Sequence, residues 1–379
     1  MNVVERSASR VDQRAKLAAV MEELDLVAAV ICSYQGVSYF AGTSIITQVA
    51  LPDRLEFFIL FNDSSPALLL CNIETGMAKS QTDITDVSEY VEFVDVPAIA
   101  LAKLLTERGI VSGRIGIETR RLHAEAYEDI KTALPDVELV GIDQKIEDLQ
   151  SVKTASEVDM LRHAAQSTLD ALLDSAAKAK PGDTELGFCA EVSGRLMANG
   201  GIFGFMVFGA GPRAIGAHVE ATTSPLREGE IWRIDFGARF FDVINSDLAR
   251  VGVVGEPSSE QREIFAALHA IQSAGFDAME PGRPALDVFA AVKREYEQQG
   301  LPFMMPHVGH GLGIGLHESP ILEPGNATPL AAGMVLNVEP MLVLPDRGEC
   351  YHTEDLAVVT ADGHELLTQP QEELISIHA

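Results

Sequence analysis

Three strand-like stretches carry carboxylates where an apolar strand should exclude them. Asp235 lies inside EIWRIDFGA, Glu339 ends the run GMVLNVEP, and Glu354 opens EDLAVVT. A buried, unpaired charge costs far more than a protein core can tolerate. The fold must therefore bring these groups to a compensating partner, and metal ions are such a partner. Two more segments belong with them: DVINSDLARVGVV, with Asp247, and HVGHGLGIGLHESP, with His307, His310 and His317 among glycines that let backbone approach a ligand closely. Taken singly, each has an ordinary explanation: a strand-end aspartate, a strand ending before proline, a flexible glycine turn. Together, four carboxylates and one imidazole suit two divalent cations with open water positions. Oxygen ligands favour manganese- or iron-like ions, and the imidazole permits zinc or cobalt. Two cations about 3.5–4 Å apart would bridge a water, lower its pKa from about 15.7 towards ~7, and polarise a carbonyl. A neighbouring glutamate could take the water's proton and pass it to a leaving nitrogen. The expected reaction is hydrolysis of an amide or similar C–N bond.

Composition narrows the partners. Asp and Glu total 56 against 28 Lys and Arg, a formal charge of -28. Phosphate backbones and anionic membrane surfaces demand the opposite balance, so nucleic acid and membrane are not expected partners. The four cysteines (Cys32, Cys71, Cys189, Cys350) are dispersed with no CxxC pair, which argues against a disulfide framework. The opening MNVVERSASRVDQR lacks the apolar stretch of a signal peptide, and no 18-residue apolar run occurs. A cytoplasmic protein is expected.

With 379 residues, about two domains are expected. Residues 1–150 read as an α/β domain: a helix over VDQRAKLAAVMEEL, strands at LVAAVIC, EFFILF and ALLLC, and a helix over VPAIALAKLLTERGI ended by Gly109. No phosphate-binding glycine loop is present. Residues 151–379 form the second domain. It opens with a capping-box pattern, Thr154 and Glu157, followed by Val158, Leu161, Ala165, Leu169 and Leu172 on one helix face, with a stop at Pro181-Gly182. A helix from Thr184 to Asn199 and two amphipathic helices, SSEQREIFAALHAIQSAG and ALDVFAAVKREYEQQG, are interspersed with strands without strict βαβ alternation, so this domain is α+β. No sequence repeat is visible, although a structural duplication could underlie it. Nine of the ten histidines follow residue 160, which places histidine chemistry in the second domain.

At these residues the chain resembles the pita-bread metallohydrolase family of prolidase, aminopeptidase P, methionine aminopeptidase and creatinase. The shared pattern is Asp235-Phe236-Gly237, Ser246-Asp247-Leu248-Ala249-Arg250, His310 through Pro320, Glu339-Pro340 and Glu354-Asp355. The resemblance implies a C-terminal pita-bread fold behind an N-terminal α/β creatinase-like domain. It implies that Asp235, Asp247, His310, Glu339 and Glu354 bind two divalent metals, manganese first among them. Asp247 and Glu354 would bridge both ions, and Glu339 would serve as the base. His317 would hold the substrate carbonyl or tetrahedral intermediate, and His218, in GAGPRAIGAHVE, resembles a second pocket histidine, its plain alternative being a loop residue. His307 and His352 would contact substrate, although His307 stands three residues before His310 where family pocket histidines usually stand four before. GIFGFMVFGAG reads either as an apolar pocket wall or as a core strand carrying Phe203, Phe205 and Phe208.

Three departures bear on substrate. Asp235 and Asp247 are twelve positions apart where the family usually has eleven, which calls for a bulge or a longer hairpin loop. His352 replaces an arginine that helps hold substrate in many prolidases. Met341 stands where the peptidases commonly have glycine, and EPMLVLPD is there more similar to creatinase. The expected activity is that of a dinuclear-metal Xaa-Pro dipeptidase or aminopeptidase acting on a small peptide. The alternatives are a metal-dependent amidohydrolase of a small non-peptide amide, creatinase- or ectoine-hydrolase-like, and a binding module without turnover. The resemblance also implies a homodimer.

Overall fold

Short apolar runs separated by amphipathic helices dictate layered architecture, and the computed structural model shows it in both halves of the chain. It describes residues 3–51, 53–241 and 243–378, with side chains from Arg10 onward except at Phe203, so the pocket-or-core question for Phe203 lies outside the described residues. The chain divides into two compact units, Met1–Gln150 and Ser151–Ala379.

The first unit runs α1 (Val3–Glu23), β1 (Ala28–Ile31), α2 (Tyr34–Ala41), α3 (Ile46–Ala50), β2 (Phe57–Phe61), β3 (Pro66–Cys71), α4 (Thr75–Gln81), β4 (Val87–Tyr90), α5 (Pro97–Glu107), β5 (Gly113–Ile117), α6 (Ala124–Ala133), β6 (Val137–Gly141) and α7 (Asp143–Ser151). Its six strands make one mixed sheet in the order β4-β3-β2-β1-β5-β6. Every residue of β1 and β2 is buried, as continuous apolar strands covered on both faces require. The flanking β4 and β6 are partly exposed. Pro97 starts α5, where its missing N–H costs nothing, and Gly109 follows the helix end with φ 78°.

The second unit contains α8 (Ala155–Ala176), α9 (Glu185–Ala198), β7 (Ile202–Ala210), β8 (Ile231–Phe240), β9 (Ile244–Asn245), β10 (Leu248–Val254), α10 (Ser259–Asp277), α11 (Ala285–Gln298), β11 (Val335–Val338), β12 (Met341–Leu344), β13 (Glu349–His352), β14 (Asp355–Val359), β15 (His364–Leu366) and β16 (Ile375–Ile377). Thr154 and Glu157 form the capping box of α8, and Ser258 and Gln261 form one on α10. One sheet has the order β16-β10-β8-β7 with β9 on β8; β11-β14-β15 and β12-β13 form two more. GMVLNVEPMLVL, which reads as one strand, is two. Pro340 has no N–H for the ladder, so the chain leaves β14 at Glu339 and pairs afresh as β12 on β13.

A duplication invisible in the sequence is plain in the hydrogen bonds. At the start of α9, Gly182, Glu185 and Leu186 donate to Leu226, Ser224 and Thr222. At the start of α11, 100 positions later, Gly282, Ala285 and Leu286 donate to Leu330, Thr328 and Asn326. Each helix hairpin is thus tied to an extended segment in the same way. Leu268 and Ile271 of α10 and Val288 and Val292 of α11 bury against Val251, Leu336 and Val338, so the helices brace the strands that carry the carboxylates. Among the described residues, no helix is long and apolar enough to cross a membrane.

Candidate metal centre

The hairpin of β8 and β10 sets the first two carboxylates. Phe240–Ile244, Phe236–Leu248 and Ile231–Val253 pair on one unbroken register. Asp247 therefore lies opposite Gly237, two residues from Asp235 and on the same face. The twelve-residue spacing is accommodated in the turn, where Phe241 has φ 51°, without a bulge between the aspartates. An odd number of turn residues makes the same-face spacing even. Gly237 is required here because a Cβ would stand 1.9 Å from the Ser246 carbonyl oxygen. The Ser246 hydroxyl meets the Ala238 amide at 3.0 Å and the Thr168 hydroxyl at 2.7 Å, tying the approach to Asp247 to α8.

The other candidate ligands arrive from three directions. His310 sits on the glycine-rich segment, which runs beside β11: Asn337 N donates to His310 O at 2.8 Å, and Glu339 N donates to Val308 O at 2.9 Å. A Cβ on Gly309 would fall 2.0 Å from the Asn337 carbonyl oxygen, so only glycine permits this approach. Glu354 enters where its amide donates to Ala249 O at 3.0 Å. The donor atoms converge. Those of Asp235, Asp247 and Glu354 lie within 4.8 Å of one another, as do those of His310, Glu339 and Glu354, and those of Asp247, His310 and His317. His310 Nε2 is 3.6 Å from Asp247, 3.6 Å from Glu339 and 3.9 Å from Glu354. Two donors each ~2.1 Å from one ion lie no more than ~4.2 Å apart, so these separations fit shared coordination. Asp247, His310 and Glu354 each belong to two of the triads.

Electrostatics points the same way. Burial, then Glu339, pushes Asp235 up to about 7. Burial, then the neighbouring carboxylates, raises Asp247 and Glu354 well above the usual range. Burial alone would raise Glu339 too, but His307, 3.4 Å away, together with His310 and His352, outweighs it and holds the carboxyl below its ordinary value. Burial lowers His310 to about 4, leaving a neutral ring. Its Nδ1 is 3.0 Å from the Gly311 carbonyl, which can only accept, so Nδ1 carries the hydrogen and the Nε2 lone pair faces the carboxylates. Glu339 Oε1 is buried without a hydrogen-bond partner. Crowded carboxylates that cannot all ionise, a presented imidazole lone pair and a buried carboxylate oxygen without a hydrogen bond fit two divalent cations.

The centre opens into a cavity of about 720 Å³ in the second unit. His218, His307, His317 and His352 all line it. The His317 ring centroid is 4.0 Å from that of His310, and burial lowers its pKa. His352 is buried, held down to about 3 by burial and then by Arg233, with Nε2 3.9 Å from Glu339. Phe205 lines the cavity while Phe208 is wholly buried in the core, so β7 is both pocket wall and core strand.

Comparison with known proteins joins this geometry to a family. The metallopeptidase family M24 matches residues 159–361, and the creatinase/prolidase N-terminal domain matches residues 13–152. The chain belongs to metallopeptidase family M24. Among other members, it is 28% identical to the probable dipeptidase PepE of Mycobacterium tuberculosis over 93% of this chain and 95% of that one. It is 27% identical to the Xaa-Pro dipeptidase of Pyrococcus furiosus over 95% and 98%. The crystal structure of dipeptidase PepE from Mycobacterium ulcerans superposes with a TM-score of 0.84 at 27% identity, covering 98% of this chain and 99% of that one. Prolidase from Pyrococcus furiosus gives 0.80 at 26%, covering 93% and 99%. The architecture is the two-domain prolidase fold, a creatinase-type N-terminal domain followed by the pita-bread domain.

This M24 metallopeptidase also uses residues whose roles spacing alone could not reveal. Arg250, fully buried, donates to the Glu354 carbonyl at 2.7 Å and to Asp355 at 2.6 Å, clamping β10 to β14. Asn337 donates to a Glu354 carboxylate oxygen. Glu318, beside His317, is no ligand: it forms a buried ion pair with Lys153 and accepts from Gly315 N at 2.7 Å. The available signal was the same one that exposed the ligands, namely charged or amide side chains within apolar runs.

Proposed function

We propose that the chain is a dinuclear-metal hydrolase of Xaa-Pro dipeptides, with Asp235, Asp247, His310, Glu339 and Glu354 as the metal ligands. The observation that carries this reading is the convergence of those five side chains at the floor of a cavity. Divalent cations held there would supply an activated water and polarise the scissile carbonyl. Glu339, with one oxygen free of hydrogen bonds, takes the proton of the attacking water and delivers it to the proline nitrogen. His317 and His218 hold the carbonyl oxygen as it gains negative charge and the carbonyl carbon becomes tetrahedral. His307 and His352, 3.4 and 3.9 Å from Glu339, orient the substrate. Phe205, Val207, Leu316 and Val343 give the cavity an apolar wall suited to a proline ring. Manganese is the expected metal, with cobalt, zinc or iron as alternatives, and a cytoplasmic homodimer, with the two units as its functional domains, is the expected form. His352 in place of the usual arginine favours a second reading, hydrolysis of a small non-peptide amide.

Chelated protein reloaded with Mn²⁺ should release proline from Gly-Pro and Ala-Pro, and chelation should abolish the release. Glu339→Gln should keep most of the bound metal, measured by elemental analysis, while lowering kcat by at least ~100-fold. Tight metal binding with no proline release would move the assignment to the non-peptide substrate.

A further inference from the structure

One cation in this cavity, Arg233, has no ion pair among the described residues, although its charge reaches Asp235. Arg233 lies on β8 two residues before Asp235, so the two side chains share a face of the strand. Its side chain is fully buried, yet no Asp or Glu forms an ion pair with it among the described residues. Instead it is pinned by backbone carbonyls: Nε donates to Ala214 O at 2.9 Å, and Nη2 donates to Ala217 O at 2.6 Å and to Gly216 O. The remaining nitrogen, Nη1, is buried without any hydrogen-bond partner. Arg233 is also part of the cavity wall, together with His352 and Ala217.

Burying a guanidinium costs several kcal/mol unless an opposite charge answers it. The four carboxylates of the metal centre line the same cavity, but in a loaded site two divalent ions would answer their charge. The loaded site then leaves Arg233 as an uncompensated positive charge in the wall of a low-dielectric cavity. The guanidinium is planar and cannot lose its proton, so an anion must come from outside the protein. An Xaa-Pro dipeptide carries such an anion on the proline itself, two bonds from the nitrogen of its scissile bond.

We propose that Arg233 is the specificity residue for the free C-terminal carboxylate of the substrate, receiving it on Nη1 and so selecting dipeptides over longer or C-terminally blocked peptides. This deepens the dipeptidase reading and rests on it. The carbonyl clamp from the segment after β7 fixes the guanidinium before substrate arrives, so little order is lost on binding. A peptide continuing beyond proline would bury a neutral amide against an unanswered charge.

The test compares Ala-Pro with Ala-Pro-amide on the Mn²⁺-loaded enzyme, and separately the calorimetric affinity of N-acetylproline with that of N-acetylprolinamide. A charge-assisted hydrogen bond of this kind corresponds to about 10–100-fold, so the acid should exceed the amide by that factor in kcat/KM and in affinity. In Arg233→Met the ratio should fall to within about 3-fold, and Arg233→Lys, which keeps the charge if Met does not fold, should give an intermediate ratio. A merely structural role for Arg233 would weaken acid and amide alike and leave the ratio unchanged, which overturns the proposal. Equal handling of acid and amide by the unaltered protein overturns it too. Absence of turnover on both substrates with acid-selective, Arg233-dependent binding would instead sink the dipeptidase reading and leave the anion site standing.

Discussion

At Asp235 the structure makes a statement about pH that can be checked without any substrate. Its carboxyl titrates near 7 in the folded chain, against ~3.9 unfolded. A group whose folded pKa is raised stabilises the fold below the unfolded value and loses that contribution as pH rises through the folded value. Asp247 and Glu354, also raised, add to the effect. Below about pH 6.5 the lowered pKa values of His310, His317 and His352 act in the opposite direction, so in EDTA the melting temperature should fall between pH 6.5 and pH 8, and Asp235→Asn should lessen the fall. A divalent cation would favour the ionised carboxylates, so the increment that added Mn²⁺ gives should grow over the same interval. A chelated protein that becomes more stable towards pH 8 would show that these carboxylates do not crowd one another. The candidate ligands were legible because a carboxylate in an apolar run is conspicuous. Asn337 and Arg233 were not, because an amide or a guanidinium at a strand position gives no hint of whether it faces solvent, a ligand or a backbone carbonyl.

Between elements, the contact on which the site depends is the Arg250–Asp355 pair, buried to 1% and 0% side-chain exposure. The same guanidinium holds the Glu354 carbonyl, and Asp355 also accepts from Thr368 at 2.7 Å. Asp247 and Glu354 are thus placed by one clamp, whose arginine lies three residues after the first and whose aspartate lies one residue after the second. Arg250→Met should destabilise the protein by about 3–5 kcal/mol, because it leaves Asp355 buried and unpaired. It should also weaken Mn²⁺ binding by about 10–100-fold through the displaced Glu354. Adding Asp355→Leu should restore stability, read by denaturant unfolding, but not metal affinity; stability that stays low in the pair would deny the unpaired-charge explanation. The helices of this unit were readable to within a residue or two at their starts, since Thr154, Thr184 and Ser258 cap them. Their ends were less so: α8 stops at Ala176, five residues before Pro181. Strands failed differently. β4 and β6 are half-exposed sheet edges with no clean alternation, and β13 is a four-residue strand whose only apolar signal is Cys350-Tyr351.

Over the whole molecule, two features escape any reading of local pattern. The duplicated helix hairpins share hydrogen-bond geometry while their side chains have diverged, because the tie is made by backbone groups that any residue supplies. The charge balance, by contrast, is visible at once but acts only globally. Even with every Lys and Arg paired, half of the 56 acidic residues would stay unmatched. Exposed pairs such as Arg120–Glu147 contribute at most about 1 kcal/mol each and weaken in salt. The unmatched carboxylates repel throughout, and that repulsion is screened as the Debye length falls from ~10 Å at 0.1 M to ~3 Å at 1 M. Repulsion should win over the lost pairs, so the metal-loaded protein should melt at least ~2 °C higher in 1 M than in 0.1 M NaCl. Replacing ten exposed Asp and Glu residues outside the cavity by Asn and Gln should reproduce the gain at low salt and abolish its further rise. A melting temperature that drops with NaCl would mean that the specific surface pairs outweigh the net charge.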